Sequence, residues 1–128
     1  MIREHTTIGN NVAIGTSSVI EVTCGMENNI RIQSMAFIPT HTSIGNGVFI
    51  GPNAIQTNDR YPPAGKPELK GPVIEDDVTI GANATILHWV RLGKGSAGAV
   101  VTKNLPTGKL AIGSPARFVS TPPAMVRS

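Results

Sequence analysis

The sequence predicts an all-β fold, a solenoid of parallel strands wound around a narrow apolar lumen, and three observations predict it. A large aliphatic side chain recurs at every sixth residue: Ile2, Ile8, Ile14, Ile20, Met26, Ile32, Ile38, Ile44 and Ile50, then Ile74, Ile80, Ile86 and Leu92. Large aliphatics make up roughly a quarter of ordinary sequence, so a run of this length arises by chance about once in ten million trials. A helix would repeat every 3.6 residues or so and a flat strand every second residue, so a period of six marks a structural repeat. The fourth residue after each aliphatic is small or β-branched, as in Thr6, Val12, Ser18, Cys24, Ile30, Ala36, Thr42, Val48 and Ala54, then Val78, Ala84, Val90 and Ser96. One large and one small inward residue per hexad is what a thin tube needs. Turn formers follow the aliphatic: Gly9, Gly15, Gly45, Gly51, Gly81 and Gly93, then pairs such as Asn10-Asn11, Asn28-Asn29, Asn46-Gly47 and Asp76-Asp77. Gly and Asn tolerate left-handed backbone angles, so each hexad reads as one short strand and one corner.

Taken in order at eighteen residues per coil, residues 2–19, 20–37 and 38–55 form three coils, and residues 74–91 a fourth. The first coil begins at Ile2, and its open end is expected to be covered, for instance by a neighbouring subunit. Between coils three and four, residues 56–73 lose the beat and carry four prolines and two glycines, which deny a ladder. They read as one protruding loop, long enough to carry function. A fifth coil starts at Leu92 with a sound hexad through Ala97, but position 98 is Gly where an aliphatic is expected. Residues 98–128 read as an irregular C-terminal segment in which Lys109 to Ile112 is one return strand, and the Pro-rich end argues against a long helix. The whole, residues 1–128, is expected to be a single domain of about five coils.

This pattern resembles the hexapeptide-repeat acyltransferases across almost the whole chain. The resemblance implies a left-handed parallel β-helix with three hexads per coil, although parallel crossovers are ordinarily right-handed. It also implies that about three residues are missing from the fifth coil, where relatives carry a further hexad before Val-Thr-Lys. Gly113-Ser114-Pro115-Ala116-Arg117 resembles the family's turn near the acyl-CoA site. The segment from Ile50 to Pro62, with Gln56-Thr57-Asn58-Asp59, resembles N-acetyltransferases acting on nucleotide-linked amino sugars, which often carry Phe-Thr-Asn-Asp; Gln56 replaces the Phe.

Composition bounds the alternatives. The chain has 128 residues, 40% hydrophobic and 4% aromatic, which suits a tube filled with Ile, Val and Ala. No apolar run approaches membrane-spanning length, no signal-peptide pattern opens the chain, and one cysteine excludes an internal disulfide framework. The cytoplasm is the expected location. The net charge of +3 is uneven: all eight acids lie at or before Asp77, whereas Arg91, Lys94, Lys103, Lys109, Arg117 and Arg127 follow it. This asymmetry predicts an anionic partner near the C-terminal end, and acetyl-CoA fits better than nucleic acid because stacking aromatics are missing.

Acyl transfer needs a groove for the pantetheine arm, donors for the tetrahedral oxyanion, and a proton acceptor. The resemblance places the groove between tubes of a homotrimer and gives the cofactor contacts to Gly81, Ala82, Ala97, Gly98, Ala99, Val101, Lys103, Pro115 and Arg117. Acetyl-CoA would be the co-substrate, with no metal. The loop is the expected site for an amino-sugar acceptor: Asn58 orients the amine, Asp59 takes a proton or a sugar hydroxyl, Arg60 pairs with a phosphate, and Thr57 and Tyr61 line the site. Asn-Asp before Tyr-Pro is also sound turn chemistry. Hydroxyl-acetylating relatives use a histidine general base near this loop, and none lies between Thr57 and Arg60, which favours an amine acceptor. His41 lies at a corner just before the loop-bearing edge and is the alternative base for O-acetylation; a non-catalytic subunit is the other alternative. His88 and Trp89 read as surface or interface residues. The γ-class carbonic anhydrases share this fold and use three His ligands, but two coils separate His5 from His41, roughly 9.6 Å and too far for one zinc.

Overall fold

The six-residue beat becomes a triangular tube. This computed structural model describes residues 1–56, 71–86, 90–101, 104, 106–112 and 117–120. Strands of two residues, each ending on the inward position of the repeat, alternate with corners: β1 (Thr7–Ile8), β2 (Ala13–Ile14), β3 (Val19–Ile20), β4 (Gly25–Met26), β5 (Arg31–Ile32), β6 (Phe37–Ile38), β7 (Ser43–Ile44), β8 (Phe49–Ile50), β9 (Ile55–Gln56) and β10 (Val73–Ile74). There follow β11 (Thr79–Ile86), β12 (Arg91–Leu92), β13 (Ala97–Val101), β14 (Lys109–Ile112) and β15 (Arg117–Ser120). Every pairing inside the tube is parallel, and the strands stack as three flanks. The first flank is β1-β4-β7-β10-β12. The second is β2-β5-β8, then the start of β11 and of β13. The third is β3-β6-β9, then the ends of β11 and β13. This is the left-handed parallel β-helix the sequence predicts, with no helix among the described residues.

The lumen holds the residues the spacing assigned to it. Ile20, Ile38, Ile50, Ile80, Ile86 and Leu92 are all 0% exposed, as are the smaller Val78 and Ala54. Burying each large aliphatic contributes about 1.5–3 kcal/mol, so the column of stacked isoleucines is the main source of stability. At the first coil the inward Ile2 and Ile8 remain 49% and 38% exposed, because only one side of that coil is paired.

The corners share one backbone solution. The third residue after each aliphatic takes a left-handed φ near +60°: His5, Asn11, Ser17, Thr23, Asn29, Met35, His41, Asn53, Asp77 and Asn83, with Gly47 and Gly95 at +67° and +69°. Asn side chains then bridge coils. Asn28 Oδ1 accepts from the Asn10 backbone at 2.7 Å, Asn46 Oδ1 from Asn28 at 2.9 Å, and Asp76 Oδ1 from Asn46 at 2.8 Å. Gly51 meets the corner above it so closely that an added Cβ would lie 2.6 Å from the Ala82 nitrogen.

Two departures from the sequence reading concern the loop and the last coils. Gln56 and Val73, read as the ends of the loop, are strand residues in β9 and β10, and Gln56 occupies the aliphatic position inside the tube. Residues 57–70 lie outside the described residues, and the tube resumes with Gly71 and Pro72, both buried. Across this point, register partners lie thirty residues apart (Ser43↔Val73) where other coils give eighteen (Gly25↔Ser43), an insertion of twelve. At the fifth coil the register falls from eighteen (Ile80↔Gly98) to fifteen (Thr85↔Val100), which is the three-residue shortfall expected there. Lys109–Ile112 forms β14, lying parallel on β13, and β15 folds back antiparallel on it, a hairpin the sequence reading did not anticipate.

Candidate functional site

The insertion of twelve residues falls between the third and first flanks. Its base is made by β9 on the exit side and by Gly71 and Pro72 on the return side, where Ser43 N donates to Pro72 O at 3.2 Å. Gly71 packs hard on the coil beneath; a Cβ there would come 2.3 Å from Thr42 Oγ1. His41 sits on the corner immediately below, exposed, with φ +63° and its N–H directed to Val22 O at 3.4 Å. The structure thus puts His41 under the root of the insertion, as its sequence position implied. Thr57, Asn58, Asp59, Arg60 and Tyr61 lie outside the described residues, as do His88 and Trp89.

The other cluster forms at the opposite edge of the third flank. Gly81 and Ala82 lie exposed in β11 at the corner between the second and third flanks. Ala97, Gly98, Ala99 and Val101 lie in β13, the strand stacked on β11. The shortened coil carries β13 straight past the corner that Gly81, Ala82 and Asn83 turn below it. Arg117 begins β15 and pairs with Ile112. Lys103 and Pro115 lie outside the described residues.

The electrostatics of the C-terminal coils are partly satisfied internally. Arg91 Nε donates to Glu75 Oε2 at 2.5 Å, and Glu75 Oε1 also accepts from the Lys94 backbone at 3.0 Å. Arg91 is therefore engaged by an acid from the coil below, and the one-sided charge of the sequence overstates what is available to an anion. Cys24 is buried and its thiol donates to Pro39 O at 3.1 Å; burial pushes its pKa up, so it is core filler. Among the described residues no group of three His, Cys, Asp or Glu side chains is placed to hold a metal.

One concavity of about 440 Å³ was not foreseen. It lies on the first flank, lined by Thr7, Gly25, Ser43, Glu27, Asn46 and Asp76 among others, and Gly25 opens it by having no side chain. It contains no histidine or cysteine and lies on neither edge of the third flank. Its carboxylates and hydroxyls offer hydrogen bonds, and Asp76 already serves the Asn ladder.

Comparison with known proteins agrees with this geometry. Residues 73–103 match the family model described as "Hexapeptide repeat of succinyl-transferase". A 2,3,4,5-tetrahydropyridine-2,6-dicarboxylate N-acetyltransferase from Staphylococcus aureus is 44% identical over 72 residues, covering 54% of this chain and 28% of that protein. The chain thus matches less than a third of the length of that relative. Among solved structures, WeeI from Acinetobacter baumannii AYE superposes with a TM-score of 0.59 at 25% identity, covering 91% of this chain and 56% of that one. A hexapeptide-repeat acetyltransferase, VCA0836 from Vibrio cholerae, solved with acetyl coenzyme A, gives 0.55 at 25% identity over 94% of this chain and 69% of that one. The resemblance read from the sequence is borne out: the chain is a hexapeptide-repeat left-handed β-helix built as these acyltransferases are. Its relatives by sequence and by structure include N-acetyltransferases and acetyl-CoA complexes.

Proposed function

We propose that this chain is the catalytic β-helix of an acetyl-CoA-dependent N-acetyltransferase whose acceptor is the amino group of a nucleotide-linked sugar, acting in the cytoplasm as a homotrimer. The observation that supports this reading is that the described residues flanking the insertion, above His41, and the Gly81–Ala82 corner with β13 stand at the two edges of one flank. The outward column between them is Val19, Phe37 and Ile55, with Ile55 46% exposed. Around a threefold axis the insertion of one copy would face the Gly81 corner of the next, closing a cleft between subunits.

In that cleft, backbone groups of Gly81, Ala82, Ala97, Gly98, Ala99 and Val101 hold the pantetheine arm, with Lys103, Pro115 and Arg117 nearby. Thr57, Arg60 and Tyr61 hold the acceptor, and Asn58 orients its amine. The neutral amine attacks the thioester carbonyl, forming the N–C bond. Backbone N–H groups stabilise the oxyanion. The C–S bond then breaks, Asp59 receives the amine proton, and the thiolate of coenzyme A leaves as the thiol by taking that proton from Asp59. The relative matched by sequence names a dicarboxylate in place of a sugar, so the acceptor test spans both classes. O-acetylation is the second reading, favoured by the exposed His41 beneath the insertion. Mass spectrometry of acetyl-CoA reactions with nucleotide amino sugars, free amino sugars and amino dicarboxylates tests the proposal. The expected product is an amide on a nucleotide sugar, unaffected by His41→Ala. An acetyl ester lost in His41→Ala establishes the second reading, and no turnover with any acceptor overturns the first.

A further inference from the structure

The first coil ends the tube with half of its ladder unused. Arg3, Thr7, Gly9, Ala13 and Gly15 each direct a backbone N–H to the second coil, at the carbonyls of Ile20, Cys24, Met26, Ile30 and Ile32, over 2.7–3.0 Å. Backbone groups alternate in direction along a strand, so Ile2, Ile8 and Ile14 turn their N–H and C=O to the open side. The same three residues are the inward aliphatics of that coil, and Ile2 and Ile8 stay 49% and 38% exposed. The corner ladder is open there too. Asn28 Oδ1 accepts the Asn10 N–H and the later coils repeat the step, so Asn10 Oδ1 is left without a donor among the described residues. An apolar mouth ringed by free backbone groups is a template for further strands.

Self-complementarity names the occupant. Residues opposite each other in an antiparallel pair point to the same face, and a hydrogen-bonded pair exchanges both of its bonds. Across the mouth of an eighteen-residue coil, three placements of a two-fold axis set inward residues opposite one another: through Asn11 and Ile2, through His5 and Ile14, or through Ser17 and Ile8. In each, every isoleucine of the mouth meets an isoleucine, and both partners carry the free N–H and C=O that the exchange needs. Charge does not oppose the contact: residues 2–19 hold one Arg and one Glu, and these pair with each other at 3.2 Å. The far end of the tube offers no such match, since β14 lies on β13 and the antiparallel β15 lies on β14. A first coil therefore fits another first coil, and such a contact closes after two copies.

We infer that two copies of this chain join head to head through their first coils, with Asn11 and Ile2 on the two-fold axis. The choice of axis rests on the homotrimer proposed above, which turns the third flank, and with it Ile2 paired to Ile20, toward the threefold axis. A two-fold that crosses the threefold axis enters at Ile2 and leaves at the opposite corner, Asn11. Ile8 then pairs with Ile14 of the second copy, while Ile2 and Asn11 each meet their own counterpart. Asn11 gives Nδ2 to Asn29 Oδ1 at 2.8 Å, and its own Oδ1 accepts nothing among the described residues, so the ladder continues across the join. The result is a pair of trimers.

The test reads molar mass by light scattering and disulfide capture at the three candidate corners. Wild type is expected at the mass of two trimers. Ile8→Lys, which sets a charge in the join, is expected at about half that mass with its far-ultraviolet spectrum kept. Residues facing each other across a two-fold axis come within disulfide reach, so oxidised Asn11→Cys should run as linked pairs on a denaturing gel, whereas His5→Cys and Ser17→Cys stay single. The native Cys24 is buried and gives no background. A mass of two copies with Asn11→Cys linked upholds the join while the threefold reading fails. Linkage at His5→Cys or Ser17→Cys in place of Asn11→Cys overturns the axis. No linkage at any of the three, with wild type and Ile8→Lys equal in mass, overturns the join.

Discussion

At the scale of single residues, the corner positions carry the clearest consequences. Met35 holds φ +63° while its side chain is 61% exposed, so it bears the left-handed cost with little packing to offset it. The left-handed region costs an ordinary L-residue about 1–2 kcal/mol, and Asn tolerates it best after Gly. Met35→Asn is therefore expected to raise stability by about 1 kcal/mol in urea unfolding; a loss would mean that Met35 makes a contact across a subunit boundary. The thiol of Cys24 gives a second expectation. Burial raises its pKa, so the fold favours the protonated form. That contribution is fully present below the thiol's ordinary value of 9.0 and is lost as pH rises through the raised value. The folded protein should resist alkylation at pH 8, react once denatured, and lose stability on the alkaline side; Cys24→Ala should remove that alkaline loss. The corner preference itself was legible, since Asn11, Asn29, Asn53 and Asn83 advertise it. His5, Thr23 and Met35 were not, because the stacking of coils imposes their angle against their own preference.

At the scale of elements, the repeat tolerates insertion more readily than crowding. Removing twelve residues from within 57–70 restores the eighteen-residue spacing between Ser43 and its register partner. The shortened chain should fold to the same far-ultraviolet spectrum, with a melting temperature equal to or above that of wild type, while amine acetylation is lost. Collapse of the fold would show that the insertion is structural. Crowding acts oppositely. Gly51→Ala drives a Cβ to within 2.6 Å of the Ala82 nitrogen, where both sides are backbone. It should destabilise by about 2 kcal/mol. It should also weaken acetyl-CoA binding, because the corner displaced is the one assigned to the pantetheine arm. The insertion was readable from where the beat stops and resumes, and the three-residue shortfall from the resemblance to the hexapeptide-repeat acyltransferases. The insertion's boundary was not: Gln56 is polar, so a hydrophobic pattern ends there, yet the tube buries it because its backbone continues the ladder to Ile86. The antiparallel hairpin of β14 and β15 carried no periodic signal at all.

At the scale of the whole molecule, the tube is a rigid spacer that holds two edges of one flank at a fixed separation. The sixfold spacing conveyed a tube of stacked short strands and corners, and the family resemblance supplied its left hand and its three hexads per coil. The sequence conveyed the site only through resemblance, since backbone groups contribute most of the proposed contacts and leave little trace in side-chain identity. The charge asymmetry misled in part, because Glu75 reaches up to engage Arg91. The apolar column of Val19, Phe37 and Ile55 faces outward, where it would lie between copies. Ile55→Lys is expected to reduce the molar mass measured by light scattering to one third of the wild-type value and to abolish turnover, without loss of β-structure. An unchanged mass would place the interface elsewhere.

The most direct measurement is backbone hydrogen exchange of the intact protein with and without acetyl-CoA. Binding in the groove described here should slow exchange at Gly81, Ala82 and Ala97–Val101, and leave the first two coils unchanged. Protection confined to the first flank around Gly25 and Ser43, or no protection anywhere at saturating acetyl-CoA, would contradict it.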